Sequence, residues 1–247
     1  STRDVEHFYD RLEVGHRAQQ EIQPVSTPTI RSILASVLDP YDPRFEDSWL
    51  DAVADRSQGN PLYLQLLCNE LYSGRQVLGD TANLPEDMDR LLGDCISRIT
   101  DAGRDDDVLL LLHSLAQSLA PLSPQALADL LRLNSERTRT ACIRCAEVLR
   151  STEPTRSDAP LQLFHESLRE WLRHHHRTEC GDAQSRLTSS CQRWRGRQDD
   201  GARRYALEYA TAHLRARGDG DGLAELLADE EYREAQINAS LQYTWSY

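Results

Sequence analysis

Apolar residues recur every three or four positions along most of the chain, which predicts amphipathic helices. In residues 22–100 these runs are separated by breaks rich in proline, glycine and aspartate. The pattern predicts a compact unit of about four helices. Its apolar positions are Ile30, Ile33, Leu34, Val37, Leu38, Trp49, Leu50, Val53, Ala54, Leu62, Leu66, Leu67, Leu71, Met88, Leu91, Leu92, Cys95, Ile96 and Ile99. Residues 1–21 carry only scattered apolar side chains and form a leader of uncertain structure.

The segment Gly59-Asn60-Pro61 carries three helix-boundary residues in a row. Gly59 can end one helix in a left-handed cap, because glycine adopts positive φ without strain. Asn60 can cap the next helix and Pro61 fits its first position. Further on, Pro85 is expected to start the fourth helix of this unit.

Residues 101–178 predict three helices followed by a short hairpin. Val108–Leu119 is strongly apolar, Ser123-Pro124 is a cap followed by a first-position proline, and Ser135 is expected to cap a helix running to residue 150. The alternation in Leu161–Phe164 is strand-like. This order is the layout of a winged-helix domain with a small β wing.

Residues 179–247 return to helical spacing and predict a second helical domain. Leucine and alanine dominate and β-branched runs are absent, so the fold class is mainly α: a helical unit, a winged-helix domain and a further helical domain.

The basic residues exclude lysine-dependent sites, because all 28 are arginine and lysine is absent. A complete phosphate-binding loop of the G-x-x-x-x-G-K-[ST] type requires lysine, and so does Schiff-base catalysis. No Ser/His/Asp or Cys/His constellation is apparent either, so no catalytic residue is assigned. The chain opens at Ser1 and its only methionine is Met88, as expected for a piece of a larger protein.

The charge and hydropathy pattern bears on partners and location. A net charge of −12 argues against non-specific coating of nucleic acid. No apolar run approaches a membrane span and no secretory leader is apparent. The six cysteines lack tight pairing, which favours reduced thiols and a cytoplasmic protein without membrane contact.

Two groups of potential metal ligands are better explained by structure. Cys142 and Cys145 form a lone C-x-x-C on a predicted helix, without the second pair that a zinc site needs. The run His174–His176 lies near Cys180, but consecutive residues of a helix point in different directions. We expect buried thiols, a solvated helix end that suits the dipole, and no metal.

Arginines on the predicted 135–150 helix raise the alternative of DNA binding. This helix holds the recognition position of a helix-turn-helix, where arginine can read guanine. Glu136 and Glu147 interleave with the arginines and the chain is acidic, so a solvated helix face is the stronger interpretation. The arginines concerned are Arg137, Arg139, Arg144 and Arg150.

Three motifs in order resemble the part of STAND ATPases (the NACHT and NB-ARC class of signalling switches) that follows the nucleotide-binding core. ADRSQGNPLYLQLLCNEL (54–71) resembles the G-x-P segment of the helical lid. LPEDMDRLLGDCISRI (84–99), with the helices after it, is similar to the passage from lid to winged helix. HESLREWL (165–172) resembles an H-x-S-x-x-E-[FW]-L pattern of the winged-helix domain.

The resemblance implies specific roles. It places the Gly59-Asn60-Pro61 segment at a nucleotide, with Pro61 on the adenine, and His165 at the terminal phosphate of ADP in the resting state. It implies a helical lid (22–100), a winged-helix domain (101–178) and a second helical domain (179–247), while the leader (1–21) matches no part of the family. ADP or ATP would bind through a core domain that this chain lacks.

The hypothesis from sequence is therefore the regulatory half of a STAND-type switch, which holds the ADP state and releases on ATP exchange. The implied partners are an upstream nucleotide-binding domain, a C-terminal repeat sensor and further copies of the chain on activation. Two alternatives stay open: a winged-helix DNA-binding regulator, and a helical adaptor that binds proteins and no nucleotide.

Overall fold

The computed structural model describes residues 25–38, 47–76, 79–100, 105–151 and 158–244. Within these ranges the chain forms twelve α-helices and one two-stranded sheet, so the mainly α prediction is confirmed. The helices are α1 (Thr27–Leu38), α2 (Asp47–Ser57), α3 (Pro61–Tyr72), α4 (Met88–Ile99), α5 (Asp106–Gln117), α6 (Pro124–Leu131), α7 (Ser135–Arg144), α8 (Glu166–His175), α9 (Arg177–Gln192), α10 (Asp200–Ala216), α11 (Gly220–Ala228) and α12 (Glu230–Thr244). The strands are β1 (Leu149–Ser151) and β2 (Leu161–Leu163).

The chain divides into two compact units, Ser1–Leu91 and Leu92–Tyr247, and the division falls inside α4. The predicted leader lies outside the described residues. The second unit contains both the predicted winged-helix region and the predicted second helical region, and the boundaries proposed at residues 100 and 178 stay predictions.

In the first unit α1 packs on α2 and α3 around a small apolar core. Its largest fully buried side chains are Ile30, Leu34, Trp49, Leu50, Tyr63, Leu64 and Leu67. The Tyr63 hydroxyl donates to the carbonyl of Pro85 at 2.6 Å. Helix α4 begins at Met88, so Pro85 lies ahead of it rather than at its start, contrary to expectation. The Asp87 carboxylate accepts from the Arg90 N–H near the first turn.

The second unit is built around α5. This helix contacts α7, α8, α9 and β2, and its apolar face is fully buried. A second layer forms where α10 packs on α6 and α9, and α11 and α12 then pack on α10. Burial of each fully buried leucine of α5 (Leu111, Leu112 and Leu115) contributes about 2 kcal/mol, so this helix contributes strongly to the stability of the unit.

The helix predicted over residues 135–150 is shorter in the structure, because its last residues belong to a β-hairpin. Helix α7 begins after Asn134, whose side chain accepts from the N–H groups of Glu136 and Arg137, so the cap is one residue earlier than Ser135. The helix ends at Arg144, and after a short 3₁₀ turn the chain extends into β1, which pairs antiparallel with β2. The strand predicted at 161–164 is confirmed over Leu161–Leu163, and the register pairs Leu149 with Leu163.

Two histidines lie buried in the second unit. His213 is fully buried on α10, with the Gln184 side chain 2.9 Å from its Nδ1 and the Tyr205 hydroxyl 2.8 Å from its Nε2. Burial lowers the pKa of His213 to about 4. Burial on α5, followed by the charge of His176, likewise lowers the pKa of His113 to about 4. Both rings are thus neutral in the fold.

These two histidines predict acid sensitivity. Between pH 6.5 and about 4 the unfolded chain binds their protons and the folded chain does not, so the free energy of unfolding should fall as pH falls through this window. The loss is up to about 3 kcal/mol for each histidine. Denaturant unfolding from pH 7 to pH 4 should show a shallower pH slope for His213→Gln than for the wild type. The exposed His174→Gln control should keep the wild-type slope, and equal slopes for all three proteins would contradict the assignment.

Candidate functional site

The turn between α2 and α3 is fixed by its backbone. Gln58 and Gly59 both have positive φ, at 48° and 69°. The Gly59 N–H donates to the Ser57 hydroxyl at 3.2 Å, and the Gly59 carbonyl accepts from the Val25 N–H at 2.9 Å. Gly59 is buried, and the predicted left-handed conformation at this residue is confirmed. Hydrogen bonds therefore hold the turn in one shape, and glycine adopts the left-handed conformation at residue 59 without strain.

Asn60 and Pro61 begin α3 as predicted. The Asn60 Oδ1 atom accepts from the Leu62 N–H at 2.9 Å, and Pro61 occupies the first position of the helix. Both residues are exposed at the surface. The cap orients the side chain of Asn60, while the ring of Pro61 offers an apolar surface next to the positive end of the helix dipole.

His165 is the N-cap of α8. Its backbone is extended and its Nδ1 atom accepts from the Ser167 N–H at 3.0 Å. Because Nδ1 acts as an acceptor, the proton of the neutral ring lies on Nε2. The side chain is exposed, so this N–H is open to an acceptor outside the chain. This capping role uses one ring nitrogen and leaves the other as a donor for a ligand.

The start of α8 is anchored from inside the unit. Arg169 is mostly buried and lies one turn after His165, with its Nη1 atom donating to the carbonyl of Ser118 at 2.7 Å. Its Nε lies 3.2 Å from Glu166. Arg169 thus ties α8 to the end of α5, and it holds the position of His165 relative to the core of the second unit.

The predicted nucleotide contacts fall into two separate groups. Gly59, Asn60 and Pro61 belong to the first unit and His165 to the second, and each unit is described by itself. The groups share one electrostatic feature, since each is the capped N-terminus of an α-helix, where backbone N–H groups and the dipole favour an anion.

The arginines of α7 are used largely within the chain. Arg137 forms a 2.7 Å ion pair with Asp107, and Arg144 pairs with Asp105, the N-cap residue of α5. Arg150 lies in β1 and not on the helix. The acidic partners could not be predicted from local patterns, because these ion pairs join residues about 30 to 40 positions apart.

The six cysteines are all free and buried, as expected. Burial raises the pKa of Cys142 to about 11 and that of Cys145 to about 12, so both thiols stay protonated and unreactive. Among the described residues no group of three or more His, Cys, Asp or Glu side chains is arranged to hold a metal ion.

The histidine run is only partly the solvated helix end that we expected. His174 and His175 are exposed, and the Trp171 ring stacks on His175 with centroids 4.5 Å apart. His176 is half-buried and its ring lies 5.0 Å from that of His113. The burial of His113 was not predicted from the sequence, although its place inside the apolar run LLLLHSLA indicates it.

We expect the Asn60 cap to make a measurable contribution to the free energy of unfolding. Asn60→Ala should lower the free energy of unfolding by about 1 kcal/mol, because an N–H of the first turn of α3 loses its acceptor. Asn69→Ala is the matched control, since it makes the same change at an exposed position inside the same helix. Urea unfolding measures both, and a loss for Asn60→Ala no larger than that for Asn69→Ala would contradict the capping role.

No helix within the described ranges has the length and apolar character to cross a membrane. The chain matches no protein-family model, no curated protein and no solved structure.

Proposed function

We propose that this chain is the regulatory half of a STAND-type ATPase switch, comprising a helical lid, a winged helix and a second helical domain. The observation that carries the proposal is the geometry of His165. Its Nδ1 atom accepts the hydrogen bond that caps α8, and its side chain is exposed. The N–H donor of the ring is then at Nε2. A phosphate oxygen is a suitable acceptor for such a group.

The order of elements in the second unit supports the winged-helix part of the proposal. Helices α5, α6 and α7 are followed by the β1–β2 hairpin, separated from α7 only by a short 3₁₀ turn. In the proposal this hairpin would be the wing. The backbone of Leu122 pairs with Leu161 in both directions, at 3.0 and 2.8 Å, and attaches the hairpin to the segment before α6. The helix bearing His165 leaves directly from the second strand of this hairpin.

The lid part of the proposal rests on the fixed turn at Gly59. The turn presents Pro61 at the surface, where its ring can pack on an adenine. Because Gly59 and Asn60 are held by hydrogen bonds, the Pro61 ring is positioned before any ligand arrives.

The switch would act through differential contact with two nucleotides. ADP or ATP, held by an upstream core domain, would supply the phosphate; this chain would contribute Pro61 and His165 as tethers in the ADP state. Exchange for ATP would remove the advantage of those contacts, release the two units and expose surfaces for assembly with further copies. The signal would come from a C-terminal repeat sensor. The absence of lysine is compatible with this role, since the lysine would belong to the core.

The ion pairs of α7 favour the switch over DNA binding. Arg137 and Arg144 are engaged by Asp107 and Asp105, so two of the four arginines expected to meet DNA are neutralised within the chain. A major-groove reader needs such side chains free to reach base edges.

His165→Asn tests the switch. In the chain joined to its nucleotide-binding domain, this variant keeps a capping side chain and loses the imidazole Nε2–H. We expect about a tenfold loss of ADP affinity, as for removal of one hydrogen bond to a charged group. Isothermal titration measures it, with the exposed His174→Asn as control.

Unchanged ADP affinity in His165→Asn would refute the phosphate contact. If the joined protein bound no ADP at all, a helical adaptor that recognises proteins would be the better function.

DNA binding has its own test. We expect no salt-dependent retention of the chain on duplex DNA, because its net charge is −12 and the α7 arginines are partly neutralised. Retention that weakens with salt and disappears in an Arg137→Gln/Arg139→Gln variant would contradict the switch and favour a winged-helix regulator. An exposed pair remote from α7, Arg215→Gln/Arg217→Gln, is the control for general loss of positive charge.

A further inference from the structure

Three arginines alternate in the turn that follows α9, and two of them have acidic partners. Arg195 donates to Asp229 and to Glu231, both at 2.7 Å. Arg197 is buried, donates to the carbonyl of Asp129 at 2.7 Å and lies 3.4 Å from its carboxylate. Arg193 is exposed and forms no ion pair with any described residue.

A fourth arginine is brought to the same place because α6 and α9 end side by side. The Ser190 hydroxyl, near the end of α9, donates to the carbonyl of Leu130, near the end of α6. Arg132 follows directly as the residue that closes α6, with a left-handed φ of 54°. It is exposed, and among the described residues it too has no acidic partner.

The local charge is positive although the chain as a whole is acidic. The pKa of Arg193 is lowered, first by partial desolvation and then by the charges of Arg132 and Arg197, and no acid acts on it in the opposite direction. The Asp129 carboxylate already accepts from the N–H groups of Gln198 and Asp199, at 2.7 and 2.9 Å. This carboxylate, which lies close to the cluster, is thus already engaged by Arg197 and by two backbone N–H groups.

One buried polar atom of this arginine cluster also lacks a hydrogen-bond partner. It is the Nε atom of Arg197, whose side chain is 4% exposed. Buried donors are normally satisfied, so the Nε of Arg197 adds an unused N–H donor to this cluster of like charges.

We propose that Arg132 and Arg193 form a binding site for a phosphate group at the junction of α6 and α9. Two exposed guanidinium groups held by adjacent helix ends can each offer paired N–H donors to phosphate oxygens. Phosphate carries more charge than a single carboxylate, and so it compensates two cations more fully. This site lies apart from His165 in the sequence and does not depend on the proposed switch.

The test is the thermal unfolding of the whole chain in increasing inorganic phosphate, with sodium chloride at the same ionic strength as reference. The wild type should show a saturable rise in melting temperature beyond that in chloride. Arg132→Asn/Arg193→Gln should weaken the apparent affinity at least about tenfold. Asparagine suits the left-handed position of Arg132, so this variant should fold. Arg139→Gln, which removes an exposed arginine from α7, should behave as the wild type.

A second arm uses a phosphate monoester, phosphoserine, to distinguish free phosphate from an esterified group. A saturable response to either compound that is lost in the double variant and kept in Arg139→Gln supports the site. An equal response in the wild type and the double variant, or no response to either compound, overturns it.

Discussion

Complete burial of the apolar face of α5 is the constraint on which the second unit depends. Leu111, Leu112 and Leu115 have no exposed surface, and α7, α8 and α9 contact the helix that carries them. Removing any one of these side chains would leave a cavity that several elements share. The surface features of functional interest are attached to this core: Arg137 and Arg144 pair with acids at the start of α5, and Arg169 reaches the carbonyl of Ser118 just after its end.

His165 links that core to the proposed function. A histidine at a helix cap is bound through one ring nitrogen, so the direction and the protonation of the other follow from the fold. In this chain the cap hydrogen bond fixes Nδ1 as the acceptor. A donor prepared in this way loses little entropy when a phosphate oxygen arrives. In the proposed switch, that contact would have to be stronger with one nucleotide than with the other.

Local rules in the sequence predicted the helix boundaries well where the controlling residues are neighbours. Asn60-Pro61 and Ser123-Pro124 begin helices as expected, since a cap and a first-position proline act within one turn. The prediction failed where distant residues decide the structure. The 135–150 helix stops at Arg144 because residues 149–151 pair with β2, and Pro85 lies outside α4, where the hydroxyl of Tyr63 binds its carbonyl.

The candidate site was accessible from the sequence only in part. The capping position of Asn60 follows from a local pattern, whereas the partners of the arginines and the buried state of His213 depend on packing between helices far apart in the chain. The cluster of Arg132 and Arg193 is of the second kind, because it arises from two helix ends that meet only in the folded unit.

The most direct measurement is the ¹⁵N chemical shifts of the His165 ring in the folded chain at slightly alkaline pH. If His165 presents a fixed outward donor, Nε2 should carry the proton and Nδ1 should show the shift of an unprotonated nitrogen that accepts a hydrogen bond. A ring protonated on Nδ1, or one that exchanges evenly between both tautomers, would contradict the cap geometry and with it the phosphate contact.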